Sequence, residues 1–441
     1  MAEDQKVDMD WCFSQPKIEL HAHLNGSIRN STLLELAKVL GENNVIDFAD
    51  VEDVILKDDR SLVETFKLFD LIHILTTDHA TVTRITKEVV EDFASENIVY
   101  LELRTTPKKN EAIGMTKRSY MEAVIKGLRA VDSVDVSLVP FDEDSITSLV
   151  SPSINCLEKD KRRKIYVRLL LSIDRRETTE AAMETVLLAL AMKKMGVVGI
   201  DLSGNPIVGE WSSFLPPLTF AKEQGLCITL HCGEVYNPKE VHDMLDFQPQ
   251  RIGHAICLGD EEWKKLKSYS IPVEICLTSN VRTGCVPFIN DHHFVDLYKA
   301  NHPIVLCTDD TGVFSTSLSR EYLLAASTFG LDRAEMVKLA ADAIEFVFAD
   351  DGVKNALRQI FTSAKFGALE SSDCVAKTCS SRIHLRLQFM DVNCNEVSAL
   401  RYLLDRSSDL VGGVFCTVSN RSESCAREFN VKQVDFSSFI P

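Results

Sequence analysis

His21 and His23 stand two residues apart in Ile18-Glu19-Leu20-His21-Ala22-His23-Leu24-Asn25-Gly26-Ser27. The run is apolar and alternating. In an extended strand, residues i and i+2 face the same side, so both imidazoles project together where the strand stops at Asn25-Gly26. Imidazole nitrogens held side by side are half of a transition-metal site, and zinc is the commonest occupant. A His-x-His triplet is equally often two ordinary histidines. The metal reading therefore stands or falls on ligands supplied elsewhere in the chain.

Apolar runs of strand type begin near residues 18, 98, 166, 197, 226, 251, 273 and 304, and each is followed by at least one helical stretch. Strict alternation of strand and helix implies a parallel sheet with helical crossovers. Eight such units close an α/β fold of the (β/α)8 TIM-barrel type, here with extra N-terminal helices and a C-terminal extension. An open doubly wound sheet would carry a Gly-rich phosphate turn after its first strand, where this chain has His-Leu-Asn-Gly-Ser. The first seventeen residues read as a polar lead-in, and Ser31 to Leu40 as a helix stopped by Gly41. Polar, acidic material around Asp50, Glu52 and Asp53 follows, then a helix from Leu62 to Leu75. Residues 131–164, with Asp142-Glu143-Asp144 and Lys161-Arg162-Arg163-Lys164, read as a solvated insertion loop. Arg333 to Phe348 reads as a late helix. The barrel is expected over 1–370. Residues 371–441 hold 5 of the 13 cysteines. There Arg382–Phe389 and Gly412–Val418 resemble strands and Asn395–Asp405 a helix, and a small α/β appendage and a poorly packed tail are equally open.

A barrel of this kind works at the C-terminal ends of its strands. Those ends carry His21, His23 and Asn25; Thr105, Thr106 and Lys108; Asp174; Ser203-Gly204-Asn205; His231-Cys232-Gly233-Glu234; Gly253-His254; Thr278-Ser279-Asn280; and Thr308-Asp309-Asp310. Any one of these could be a helix cap. Capping does not account for four of the 11 histidines falling on one face among several carboxylates. His21, His23 and His231 offer neutral nitrogens to zinc, and Asp309 offers an anionic oxygen from the last strand, which neighbours the first in a closed barrel. Glu234 is then the expected proton donor or acceptor. His254 would orient the water or stabilise its charge, and Asp310 would hold water or substrate. The strand from Val197 to Leu202 lacks the lysine that bridges two metals in many barrel hydrolases, so one metal is expected. The residues alone describe a single-metal hydrolase and leave amide or phosphoester chemistry open.

The composition is 45% hydrophobic and 26% charged, as in soluble globular chains. No run of eighteen apolar residues suggests a membrane span. The acidic start, Met1-Ala2-Glu3-Asp4-Gln5, lacks a signal core, so the cytosol is the expected compartment. A net charge of −17 disfavours nucleic acid and anionic lipid. A small phosphorylated substrate remains compatible where local cations or backbone amides cover the phosphate. The expected partner is such a small molecule, and the expected state a monomer. Cys227, Cys276 and Cys307 lie in strand-like runs and read as small buried hydrophobes. No Cys-x-x-Cys pair is present to suggest a thiolate site.

His-Ala-His-Leu-Asn-Gly-Ser, Asp-Leu-Ser-Gly-Asn, His-Cys-Gly-Glu, Arg-Ile-Gly-His, Leu-Thr-Ser-Asn and Cys-Thr-Asp-Asp follow one another in the order of the adenosine and AMP deaminase superfamily. The resemblance covers roughly residues 16–366. Cytidine deaminases, with His-x-Glu and Pro-Cys-x-x-Cys, are a different type. The resemblance implies one zinc ion on His21, His23, His231 and Asp309. It implies that Glu234 protonates a purine ring nitrogen as water attacks carbon 6, that His254 assists the water, and that the Gly204 amide and Asp310 hydrogen-bond the ring. Within the superfamily the chain is most similar to the adenosine deaminase-like subfamily, which implies conversion of N6-methyl-AMP to IMP and methylamine. Asn25 stands where adenosine deaminases carry an aspartate that would repel a 5′-phosphate; an amide can donate to one. Leu103-Arg104-Thr105-Thr106-Pro107-Lys108 matches the subfamily's phosphate-side loop, His73 its helix position, and Asp174 a contact with the ribose. The implied substrate contacts are thus His23, Asn25, His73, Thr105, Thr106, Pro107, Lys108, Asp174, Gly204 and Asp310. A plain adenosine deaminase and a non-catalytic purine-nucleotide binder are the alternatives.

Overall fold

The computed structural model describes residues 6–42, 47–57, 60–138 and 162–377. Strands sheathed by helices on one side and packed inward on the other need near-continuous apolar runs. The chain supplies them in β1 (Lys17–His23), β2 (Ile98–Thr105), β4 (Lys164–Asp174), β5 (Val197–Ser203), β6 (Cys227–Cys232), β7 (Arg251–His254), β8 (Val273–Ile275) and β9 (Ile304–Leu306). These pair in parallel in the order β1-β2-β4-β5-β6-β7-β8-β9. A parallel bridge between Ala22 and Asp309 joins the two ends: Asp309 N donates to His21 O at 2.8 Å and His23 N to Asp309 O at 3.0 Å. The result is the expected (β/α)8 barrel, and its closing seam lies at the His-x-His strand.

The barrel interior is not purely apolar. Glu102, Arg104, Asp201, Arg251 and Glu274 are fully buried inside it. Arg104 donates to Asp201 at 3.1 Å and to Glu274 at 2.9 Å, and Arg251 to Glu274 at 2.7 Å and to Glu102. Buried charges persist only when paired and hydrogen-bonded, so these side chains stabilise the barrel as a set.

Several elements differ from expectation. The helix after β1 is Asn30–Glu42 and runs through Gly41. A Cβ at Gly41 would lie 3.0 Å from the Phe48 Cβ, so the glycine admits the next segment at close range instead of ending the helix. That segment, read as polar connection, is the helix Phe48–Leu56, with Asp47 as its cap; Ile55 is buried beneath the acidic surface that masked the pattern. Met9–Ser14, inside the supposed lead-in, is a short helix capped by Asp8 that buries Cys12. Part of the supposed insertion loop is structured: β3 (Asp135–Ser137) adds in parallel to the start of β4. Arg333–Asp342 is α-helical, and Ala343–Phe346 tightens into a 3-10 turn. The tightening brings Phe348 under the barrel, where its N–H donates to Glu102 at 2.6 Å and its ring meets the Arg251 guanidinium at 3.5 Å. The last described helix is Asp351–Lys377. The chain divides after Cys374. The acidic stretch at 142–144 and the elements read in 382–389, 395–405 and 412–418 lie outside the described residues.

Candidate active site

The helix Leu62–Leu75 begins with a capping box in which Ser61 and Glu64 satisfy each other's backbone N–H groups. It lies against the C-terminal ends of the strands, and Leu62, Thr65, Phe66, Phe69 and His73 line a cavity there. At the floor of this cavity four strand ends converge. His21 Nε2 and His23 Nε2 each lie 3.3 Å from Asp309 Oδ1, and His23 Nε2 lies 3.1 Å from His231 Nε2. One ligand atom each from His21, His231, His254 and Asp309 fall within 4.8 Å of one another, as do those of His23, Asp201 and His231. Asp309 has a left-handed backbone, φ 66°, which turns its carboxylate back over β1. Ser279 Oγ donates to its Oδ2 at 2.7 Å.

What lies behind each ring decides what its front can do. The His21 Nδ1–H donates to Glu274 at 2.7 Å and the His231 Nδ1–H to Asp201 at 3.0 Å. Each ring then presents an unprotonated Nε2 to the cavity, the usual arrangement of metal-bound histidine with a carboxylate behind it. Although burial acts to raise them, the Glu274 and Asp201 carboxyls are held well below the usual range, Glu274 by Arg104 and Arg251, Asp201 by His231 and Arg104. Burial pushes the His23 ring down to about 4, which keeps it neutral. His21 Nε2 is buried without a hydrogen-bond partner. Neutral nitrogens facing one another across 3.1 Å, beside a carboxylate and an orphaned Nε2, fit a cation of the kind that takes nitrogen and oxygen ligands. His254 differs: its Nδ1 faces the side-chain nitrogen of Asn280 at 3.0 Å.

Glu234 stands beside this cluster, with Oε1 3.8 Å from His254 Nε2. Burial, and secondarily Asp309, push its carboxyl up to about 6. Asp310 is raised further by burial and by Asp309, and its Oδ1 has no hydrogen-bond partner. Gly26 makes this arrangement possible, since a Cβ there would sit 1.6 Å from Asp310 Oδ1. Gly253 does the same for His21, whose ring lies 2.7 Å from where a Cβ would be.

His23, Asn25, Thr105, Thr106, Gly204, His231, Glu234, His254, Asp309 and Asp310 all line the first cavity, with His73 and Asp174 toward its outer side. His21 is buried beneath it. Thr105 Oγ1 and the Tyr120 hydroxyl are 2.8 Å apart, and that hydroxyl reaches Asn25 Oδ1 at 3.5 Å. His73, Thr106, Asp174 and Arg176 also line a second chamber, which holds Pro107 and Lys108. In that chamber Lys109 pairs with Glu184, Lys117 with Glu177, and Arg176 with Asp174 and Asp70. Lys108 alone among its described cations pairs with no carboxylate; its Nζ donates to Thr76 Oγ1 at 2.9 Å. Burial pushes Lys108 down to about 7, and burial with the nearby Lys108 and Arg176 pushes His73 down to about 3.

Motif reading missed Arg176, the Phe66 and Phe69 rings and the part played by Gly26 and Gly253. Arg176 follows Asp174 by two residues and could have been suspected from Asp-Arg-Arg at a strand end. The phenylalanines carried no signal beyond helical periodicity, which reads equally as core.

The family model for adenosine deaminase matches residues 16–363. An N6-mAMP deaminase from Arabidopsis thaliana is 67% identical over 356 residues, covering 81% of this chain and 99% of the relative. The human N6-methyl-AMP deaminase is 38% identical over 373 residues, covering 82% and 97%. Among solved structures, that of Arabidopsis ADAL complexed with IMP superposes with a TM-score of 0.75 at 66% identity, covering 80% of this chain and 98% of that one. The matched stretch opens at the strand that carries His21 and runs through the whole barrel, and the chain belongs to the adenosine deaminase family.

Proposed function

We propose that the chain is a zinc-dependent hydrolase that converts N6-methyl-AMP and water to IMP and methylamine. The observation that carries the nucleotide part of this reading is Lys108. It is a cation without a carboxylate partner among the described residues, in a chamber that shares His73, Thr106, Asp174 and Arg176 with the cavity. An ammonium that pays desolvation without a counter-charge makes sense where an anion arrives with the substrate. Asn25 supports the reading, because an amide adds no negative charge near the phosphate path. The relatives' names point to the same substrate.

A zinc ion held by His21, His23, His231 and Asp309 would supply Lewis acidity and lower the pKa of water to about 7. The remaining work falls to side chains. Glu234, whose carboxyl burial keeps near neutrality, is assigned to hand a proton to a purine ring nitrogen as carbon 6 becomes tetrahedral, which favours attack. Asp310, whose carboxyl burial and Asp309 push upward, is assigned to hydrogen-bond the purine ring. The Gly204 amide is assigned to the ring edge, Asp174 to the ribose, and Asn25, His73, Thr105, Thr106, Pro107 and Lys108 to the phosphate end. The Phe66 and Phe69 side chains on the overlying helix exclude water.

The test is a panel of N6-methyl-AMP, AMP, N6-methyladenosine and adenosine on the purified protein, with metal analysis of the same sample. The expected result is turnover of N6-methyl-AMP with about one zinc per chain. Turnover of adenosine alone would overturn the phosphate assignment.

A further inference from the structure

We propose that Asn280 and His292 are positioning residues that hold His254 neutral with its single ring proton on Nε2, so that His254 serves the reaction as a hydrogen-bond donor to the attacking oxygen and neither as a base nor as a metal ligand. The role in the reaction rests on the hydrolase reading above; the proton's position does not.

The chain of hydrogen bonds starts from a group whose character is not open to choice. The backbone N–H of Phe294 donates to His292 Nδ1 at 3.1 Å. A ring nitrogen that accepts carries no proton, so the His292 proton sits on Nε2. Nε2 lies 3.1 Å from Asn280 Oδ1, which fixes the orientation of the amide. Asn280 Nδ2 must then donate to His254 Nδ1, 3.0 Å away, and the His254 proton is left on Nε2. His292, Asn280 and His254 are 0%, 2% and 2% exposed, so water does not replace any link. Burial pushes His292 down to about 2, in keeping with a neutral ring that accepts at Nδ1. The other side of His254 is also fixed: its backbone is left-handed, φ 63°, and its carbonyl accepts from His293 Nε2 at 2.8 Å. Its own Nε2 is buried, without a partner, and faces the catalytic end of the cavity 3.8 Å from Glu234.

Distance alone groups His254 with His21, His231 and Asp309 as possible ligands. The hydrogen bonds separate them. His21 and His231 donate from Nδ1 to carboxylates and keep a lone pair on Nε2; His254 accepts at Nδ1 from an amide and keeps its proton on Nε2. A protonated ring nitrogen cannot bind a cation, and it can donate to an oxygen that gains negative charge.

Asn280→Asp tests this with little change of shape. A carboxylate at 280 accepts from both neighbours, which requires the His254 proton on Nδ1 and turns a lone pair toward the cavity. The direct readout is the two-bond 1H–15N correlation spectrum of the histidine rings in the metal-loaded full chain, with the His254 signal identified from a His254→Ala sample. Wild type should show the Nε2–H pattern and Asn280→Asp the Nδ1–H pattern. The variant should lose about 10²–10³-fold in kcat, the usual loss for one donor to a developing oxyanion. Its KM should stay within a few-fold and its zinc content should not change. A second pair covers the case in which Asn280→Asp fails to fold. His292→Gln keeps a donor near the Nε2 position and should retain kcat within about tenfold, whereas His292→Leu should not. An Nδ1–H pattern in wild type, or equal losses in folded His292→Gln and His292→Leu, would overturn the assignment. Failure of wild type to turn over N6-methyl-AMP would remove the function reading instead, and the ring spectrum would still decide where the proton lies.

Discussion

Lys108→Met keeps most of the side chain's length and removes its charge. In the folded chain the ammonium donates to Thr76 Oγ1 and pairs with no carboxylate among the described residues. A hydrogen bond to a charged group contributes about 1.5–3 kcal/mol. At about 1.4 kcal/mol per decade, kcat/KM for N6-methyl-AMP should fall about 10- to 150-fold. N6-methyladenosine has no phosphate to lose, so its value should change by less than about threefold. The pH dependence carries a second signature, and its sign follows from the direction of the shift. Burial lowers Lys108 to about 7, so in the free protein it is charged below that value and neutral above it. The phosphate becomes a dianion above about pH 6. Nucleotide KM should therefore be lowest between these values and rise as pH climbs through 7, approaching tenfold per unit. The methionine variant should lack this basic limb. Steady-state kinetics on the two substrates across pH 5.5 to 9 measure both effects (the range spans the two titrations, about 6 and about 7). Equal losses for nucleotide and nucleoside would show that Lys108 supports its loop and does not read phosphate. A basic limb that persists in the variant would assign the titration to another group.

Asn25→Asp should weaken N6-methyl-AMP far more than N6-methyladenosine, by about 10²-fold or more in kcat/KM, because Asn25 is buried and like charges a few ångströms apart at such a site repel by several kcal/mol; comparison of the two substrates checks it. Dialysis against a strong chelator should abolish turnover and lower the melting temperature, and zinc should restore both. An ion that binds only the folded state stabilises by about 4 kcal/mol at a thousand times its dissociation constant, so a melting temperature that does not move on chelation would argue against a bound ion. Glu274→Ala should cost about 3–5 kcal/mol in denaturant unfolding, since it removes one of the two carboxylates that each of the buried Arg104 and Arg251 guanidiniums pairs with; an unchanged midpoint would show that the remaining carboxylates suffice.

The barrel was legible because its signal is local and repeated. β2, Ile98–Thr105, and β5, Val197–Ser203, are apolar runs ended by polar residues, and each is followed by a periodic helix. What failed were elements whose pattern is set by a distant neighbour. Gly41 looks like a helix stop and is a close approach to Phe48. Asp135–Ser137 is too short and too polar to read as a strand, and it is one because β4 begins with Lys164-Ile165-Tyr166 free to pair with it. Phe48–Leu56 hides its apolar stripe under acids that face water. Such positions depend on what lies against them, and a single sequence does not carry that information.

The catalytic face shows the same division at finer scale. Each of His21, His23, His231, His254, Asp309 and Asp310 could be placed at a strand end by counting strands, and the structure brings them around one cavity, with His21 just beneath. Counting does not distinguish a histidine that binds a cation from one that donates a proton, because the residue type is identical. The distinction lies behind the ring. Asp201, on β5, stands behind His231 of the adjoining β6, and Glu274, on β8, stands behind His21 of β1, with which β8 does not pair; neither carboxylate shares a recognisable motif with its histidine. Asn280 stands behind His254, and His292, twelve residues further on, stands behind Asn280. A carboxylate accepts the Nδ1 proton and raises the basicity of Nε2, which favours a metal. An amide donor reverses the tautomer. One face thus holds histidines of opposite character, and exchanging the backing groups should exchange the characters: Glu274→Gln should weaken metal retention while leaving His254 unchanged, and Asn280→Asp should turn His254 toward ligand behaviour without weakening the metal. If both substitutions reduced zinc content equally, the face would be a single electrostatic unit and the division by backing group would be wrong.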